Sequence, residues 1–83
     1  MKVYTESGST YEIDDSGIMT KYNAEGRAVD AYKIYHMKAV PTDVKDMKEV
    51  WDLPYSQPEI GKLFYVGGKD GWWLSTPVVR IEY

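Results

Sequence analysis

The fold is decided by the C-terminal stretch Gly61–Tyr83, which reads GKLFYVGGKDGWWLSTPVVRIEY. Two runs of aromatic and β-branched residues flank the glycine-rich segment Gly67–Gly71. Such residues fit a pleated, half-buried surface, so the stretch predicts two strands joined by a short turn. Pro77 cannot donate to a strand ladder. We therefore expect the second run to form two segments at an angle, Trp72–Thr76 and Val78–Tyr83.

In the last of these segments, the alternation of a strand places Val79, Ile81 and Tyr83 on one face. The other face then carries Val78, Arg80 and Glu82.

The first third of the chain repeats the pattern of short strands and turns. Lys2–Glu6 and Thr10–Asp14 flank Ser7-Gly8-Ser9, and Gly8 can take the positive φ that a short hairpin loop needs. Ile18–Tyr22 predict a third strand. Three short strands at roughly ten-residue spacing are typical of small β proteins. The sequence therefore predicts a mainly β fold, a single domain over residues 1–83, arranged as an antiparallel β-barrel or β-sandwich of roughly five to six strands.

Two segments allow both a helix and a strand. Residues 28–40 contain apolar side chains at helical spacing, but the β-branched and aromatic content of Tyr32–Val40 favours a strand. Residues 43–52 favour one short helix near 43–51, capped by Thr42 or Asp43. A strand over Lys48–Leu53 is the alternative.

The composition limits the classes of protein. The 83 residues include eight Tyr, three Trp and one Phe, no cysteine, and a net charge of -3. A domain this small cannot enclose twelve rings, so several are expected at the surface, where Tyr and Trp are good binding anchors. No run approaches the ~20 apolar residues of a membrane helix. We expect a cytoplasmic protein with no membrane contact.

Catalytic and metal-binding patterns are sparse. His36 is the only histidine, and no serine lies in a nucleophile-elbow context. Glu12, Asp14 and Asp15 lack the ligand spacing of a calcium loop. Gly67–Gly71 lacks the spacing of a phosphate-binding loop. We expect no enzymatic activity, no metal and no cofactor.

The candidates for partner binding are mainly aromatic. Trp72 and Trp73 are adjacent, so on a strand one ring points to the core and the other outward, and the pattern does not say which. Tyr55 lies between Pro54 and Pro58, either as a lid on the core or as an exposed anchor. The full set of candidates is Trp72, Trp73, Tyr55, Asp70, Lys69 and Tyr35.

Three segments together resemble a loose class of small, mostly uncharacterised phage, prophage and bacterial proteins. These segments are Thr5–Asp14, Pro58–Lys62 and Ser75–Ile81. Members of that class open with a Thr-x-Ser-Gly-Ser-x-Tyr hairpin and close on a Thr-Ser-Pro-Val-like strand, which is Ser-Thr-Pro-Val here. The resemblance implies a small β fold, a phage origin and the binding of a host protein, including defence systems such as CRISPR effectors. It implies no catalytic residues.

These observations lead to one main hypothesis and two alternatives. The main hypothesis is a non-enzymatic protein–protein interaction module, with a phage-type inhibitor or modulator of a host protein as its narrower form. One alternative is a small barrel that binds single-stranded nucleic acid, which the acidic balance disfavours. The other is a structural or assembly subunit in which copies of the chain pair through a strand edge. The cations available to a nucleic acid would be Lys21, Lys33, Lys38, Lys62, Lys69 and Arg80.

Overall fold

The computed structural model describes all residues from Met1 to Tyr83 and confirms a mainly β fold. All seven strands belong to one antiparallel sheet with the order β6-β5-β4-β3-β2-β1-β7, so the chain has more strands than expected. The elements are β1 (Lys2–Thr5), β2 (Thr10–Ile13), β3 (Ile18–Tyr22), β4 (Ala28–Val40), α1 (Met47–Asp52), β5 (Leu63–Gly68), β6 (Trp72–Leu74) and β7 (Val78–Glu82). The one helix is not long and apolar enough to cross a membrane.

The N-terminal meander forms as the sequence predicts. Gly8 lies in the turn between β1 and β2 and has a φ of 94°, which is in the left-handed region that favours glycine. Between β2 and β3, one carboxylate oxygen of Asp14 accepts hydrogen bonds from the backbone N–H of Ser16 and of Ile18. The hydroxyl of Ser16 donates to the same oxygen. These bonds favour the ionised form, so they lower the pKa of Asp14, with the Ser16 hydroxyl as the largest cause.

The segment that allowed both a helix and a strand is the longest strand of the protein. β4 pairs with β3 through its first half, Ala28–Lys33, and with β5 from Ile34 to Val40. Its register with β5 shifts between Ile34 and His36, so Tyr35 is a bulge at the point where β4 changes partner. β4 therefore joins a larger half of the sheet, β1–β3 with β7, to a smaller half, β5–β6.

The two halves fold over each other without closing into a barrel, and the main core lies between them. The rings of Tyr11 from β2 and Phe64 from β5 meet edge to face, with centroids 5.6 Å apart. Two backbone hydrogen bonds of 2.8 Å link Val78 of β7 to Gly61 and Lys62, just before β5. The buried residues of this core are Val3, Tyr11, Ile13, Met19, Ile34, Phe64, Val66 and Val78.

The helix forms, but its N-terminal cap is neither Thr42 nor Asp43. Asp46 caps it, because its carboxylate accepts from the backbone N–H of Glu49 at 3.1 Å and the Glu49 carboxylate accepts from the N–H of Asp46 at 3.2 Å. This reciprocal pair satisfies two backbone donors at once. The helix therefore begins at Met47.

Pro77 separates β6 from β7, as expected, but the faces of β7 differ from the alternation that the sequence suggests. Thr5 pairs with Val78 and Tyr4 with Arg80, so Val79 has no partner on β1. Val78 is buried in the main core and Val79 is 54% exposed. The pattern placed Val78 and Ile81 on opposite faces, and this was wrong: Val78 lies in the main core and Ile81 packs against it, because this bulge shifts the alternation by one residue.

Candidate binding surface

The face of β4–β6 that points away from the main core carries a second apolar cluster. Along β5, Phe64 and Val66 point into the main core, whereas Tyr65 points to the opposite face, as strand alternation requires. Val40 of β4 and Val50 of α1 pack against Tyr65 there. The helix α1 therefore covers part of this outer face, and the segment that follows it reaches another part.

Five aromatic rings are in contact along this outer face. The ring of His36 stacks on that of Tyr55 with centroids 4.8 Å apart and planes 5° apart, and on that of Tyr65 at 5.7 Å and 11°. Trp51 meets Tyr65 edge to face at 5.5 Å and meets Trp72 edge to face at 5.3 Å. These separations and orientations are those that aromatic pairs prefer. The cluster is therefore ordered by ring contacts as well as by burial.

Three of these rings remain accessible to solvent. Tyr55 is 70% exposed, Trp72 46% and Trp51 43%. We call Trp51, Tyr55 and Trp72 the aromatic surface; His36 and Tyr65 lie beneath it. Burial, followed by the nearby Tyr55, raises the pKa of the Tyr65 phenol.

A glycine makes room for this stacking. Gly67 lies opposite Trp72 in the β5–β6 pair and opposite His36 in the β4–β5 pair. A Cβ atom at Gly67 would collide with the imidazole of His36 and with the hydroxyl of Tyr65. The Nδ1 atom of His36 is buried and has no hydrogen-bond partner in the protein.

A buried lysine attaches the helix to this face. Lys38 is 3% exposed, and its Nζ donates to the backbone carbonyls of Val50 at 2.8 Å and Trp51 at 2.9 Å. These carbonyls lie in the last turn of α1, where the helix dipole favours a cation. The same Nζ lies 5.5 Å and 5.6 Å from the ring centroids of Tyr55 and Tyr65. Lys38 thus holds the backbone of Trp51 in place.

The structure brings together some of the candidates that the sequence suggests. Trp72 and Tyr55 belong to the aromatic surface. Tyr35 and Tyr55 line a shared groove of about 450 Å³, which His36 also lines. Lys69 and Asp70 are exposed at the tip of the β5–β6 turn, two to three residues before Trp72 in the chain.

Trp73 occupies a different place from its neighbour. It is half-buried and packs against the main core. Its Nε1 donates to a carboxylate oxygen of Asp30 at 2.9 Å, and the ammonium of Lys21 lies 3.8 Å from the centroid of its ring. Of the two adjacent tryptophans, Trp72 is therefore the more exposed ring.

Trp51, His36 and Tyr65 are not among the candidates that the sequence suggests. Val50 and Trp51 are adjacent in the predicted helix, and a short helix buries only one of two adjacent residues well. That adjacency is the signal that could have identified Trp51. The contacts of His36 depend on the bulge at Tyr35, which no sequence pattern indicates.

No group of three or more His, Cys, Asp or Glu side chains is arranged to hold a metal ion. Comparison with known proteins gives no match among family models, curated proteins or solved structures.

Proposed function

We propose that this protein is a non-enzymatic module that binds another protein through its aromatic surface. The observation that carries the proposal is the arrangement of Trp51, Tyr55 and Trp72 as solvent-accessible rings held from beneath by His36 and Tyr65. Exposed Trp and Tyr side chains are enriched among the residues that contribute most to protein–protein binding.

The rings of the aromatic surface are already ordered before a partner binds. Binding normally costs about 0.5–1.5 kcal/mol for each flexible side chain that it immobilises. Trp51 and Trp72 already contact each other at 5.3 Å, and Tyr55 is stacked on His36 at 4.8 Å. Much of that cost is met during folding, so these rings can contribute more of their buried area to affinity.

The charges disfavour nucleic acid as the partner. The ammonium of Lys38 is buried against carbonyls, and that of Lys21 lies over the ring of Trp73. Lys62 pairs with Glu59 at 3.3 Å, and Arg80 pairs with Glu82. Four of the six cations considered for phosphate binding therefore have other partners. The helix α1, which carries Trp51, and its N-cap add further exposed carboxylates, namely Asp46, Glu49 and Asp52.

The test uses matched variants as baits in affinity capture with mass spectrometry from lysates of the source cells. We expect Trp72→Ala and Tyr55→Ala to reduce capture of a specific protein by at least about tenfold, as truncation of a central anchor does. Val29→Ala removes an exposed apolar side chain outside the aromatic surface and serves as the control. Circular dichroism of each bait confirms that it is folded.

Equal capture of the same protein by all folded variants would refute this use of the aromatic surface. A gel shift with single-stranded RNA or DNA that weakens with salt would favour the nucleic-acid alternative instead. The narrower proposal, that the partner is a host defence effector, rests on the sequence resemblance alone. The identity of the captured protein tests it directly.

A further inference from the structure

β7 is the last strand in the order of the sheet and pairs only with β1. Its first residue, Val78, is covered on the other side by its hydrogen bonds with Gly61 and Lys62. From Val79 onward, no strand borders that side of β7. A free edge of this kind is a template for pairing with another chain.

The hydrogen-bond pattern of β1 shows which backbone groups of β7 point outward. The N–H of Thr5 donates to Ser9, and the carbonyl of Met1 accepts from Ile13, so the odd residues of β1 face β2. Lys2 and Tyr4 therefore face β7, where their partners are Glu82 and Arg80. Because strand residues alternate in direction, the N–H and C=O of Ile81 point away from the sheet.

The side chains along this edge can pair favourably with the same edge of a second copy. An antiparallel pair of two β7 strands centred on Ile81 places Arg80 of each copy opposite Glu82 of the other. It also places Val79 of each copy opposite Tyr83 of the other. Opposite charges and aromatic–β-branched pairs are both favourable across antiparallel strands.

Arg80 and Glu82 form an ion pair within β7 and lie on one face beside Tyr4 of the neighbouring strand. Its hydroxyl donates to a carboxylate oxygen of Glu82 at 3.1 Å, and the guanidinium of Arg80 lies 5.2 Å from its ring centroid. Val79 and Tyr83 are 54% and 86% exposed, so both are free to contact a second chain.

We propose that a second copy of this chain pairs with β7, forming a symmetric dimer whose two-fold axis passes beside Ile81. The inference is independent of the proposed partner-binding function, because none of Trp51, Tyr55 and Trp72 lies on β7. A two-fold contact of this type uses the same patch on both copies and closes at two.

The dimer is expected to be weak and dependent on concentration. The free edge is short, because the two bonds at Val78 close its start and β7 ends at Glu82. A strand this short buries less than the roughly 800 Å² per partner of a standard stable interface. Sedimentation equilibrium over a series from micromolar to millimolar is therefore the appropriate measurement, with a rise in mean mass from 9.6 kDa towards twice that value.

Charge reversal gives a specific test. Arg80→Glu alone and Glu82→Arg alone each place like charges opposite each other in the proposed register, so each protein should remain at the monomer mass. An equimolar mixture of the two variants restores opposite charges in a heterodimer, and the mean mass should rise again. The double variant R80E/E82R should dimerise as the original chain does. Arg27→Glu, at an exposed site in the β3–β4 turn, controls for net charge.

Three results would overturn the proposal. One is a monomer mass for the unaltered chain at millimolar concentration. Another is dimerisation of both single variants, unmixed, to the same extent as the unaltered chain. The third is a dimer that Trp72→Ala abolishes, since that would place the contact on the aromatic surface. Thermal melts of every variant confirm folding, so a lost dimer is not mistaken for a lost fold.

Discussion

At the scale of single residues, Gly67 is the clearest case of a position determined by its neighbours. Its missing side chain leaves the space that the rings of His36 and Tyr65 occupy. The sequence pattern predicts this glycine only as part of a hairpin turn. In the structure it lies within β5, and it allows the aromatic surface to stack.

We expect Gly67→Ala to lower the free energy of unfolding by about 1–3 kcal/mol, because the added methyl group overpacks a filled space. Denaturant titration followed by circular dichroism measures the change. In a chain that already carries His36→Ala, the imidazole is absent and the same substitution should cost less. Equal costs in the two backgrounds would show that the His36 ring is not what excludes the methyl group.

At the scale of elements, α1 depends on the sheet. A helix of six residues is far below the length that is stable alone in water, so it needs contacts from outside itself. Val50 supplies the apolar contact, and the Nζ of Lys38 supplies hydrogen bonds to its last turn. Asp46 and Glu49 complete the other end by capping.

We expect Lys38→Met to lower the free energy of unfolding by about 1–2 kcal/mol. Methionine keeps much of the apolar stem, but the Trp51 carbonyl loses a charge-assisted bond. The variant no longer has to desolvate a charge on folding, and this gain offsets only part of that loss. Lys33→Met, an exposed position on the same strand, is the control and should change stability by less than about 0.5 kcal/mol. Denaturation curves that coincide for the two variants would contradict this role of Lys38.

How much of each element could be predicted depends on whether its cause is local. β2 and β3 follow from alternation and turn chemistry, which neighbouring residues determine. The bulges at Tyr35 and Val79 do not follow from local sequence, because they depend on how a strand pairs with a partner that is distant in the chain. Those bulges decide that His36 joins the aromatic cluster and that Val78 enters the core. The sequence could predict the general type of the candidate site, which is a set of exposed rings near Trp72. It could not predict which other residues form the site.

For the molecule as a whole, the small core leaves most of the aromatic rings partly exposed. Tyr11 and Phe64 are fully enclosed between the two halves of the sheet, whereas most other rings are only partly covered. Partial burial is still enough to raise the pKa of some of these tyrosines. Burial, followed by Asp30 and then Tyr65, raises the pKa of Tyr32 to about 12, and its hydroxyl is buried without a hydrogen-bond partner.

The ionisation of these tyrosines lowers the stability of the fold at alkaline pH. The pKa of an unperturbed tyrosine is 10.0 and that of Tyr32 is about 12, so between these values the unfolded chain releases a proton that the folded chain keeps. Stability is therefore fully present below pH 10 and falls as the pH rises through about 12. Burial raises the pKa of Tyr11 and Tyr65 in the same direction, which steepens the fall.

Denaturant titrations at a series of pH values from 8 to 12, with near-ultraviolet absorbance of tyrosinate recorded in parallel, measure this dependence. We expect Tyr32→Phe to flatten the decline, because the variant has no phenol to ionise at that position. Tyr83→Phe, at the exposed C-terminus, should leave the slope unchanged. If stability is constant across this range, or if both variants have the slope of the unaltered chain, the buried phenols do not control the alkaline limit.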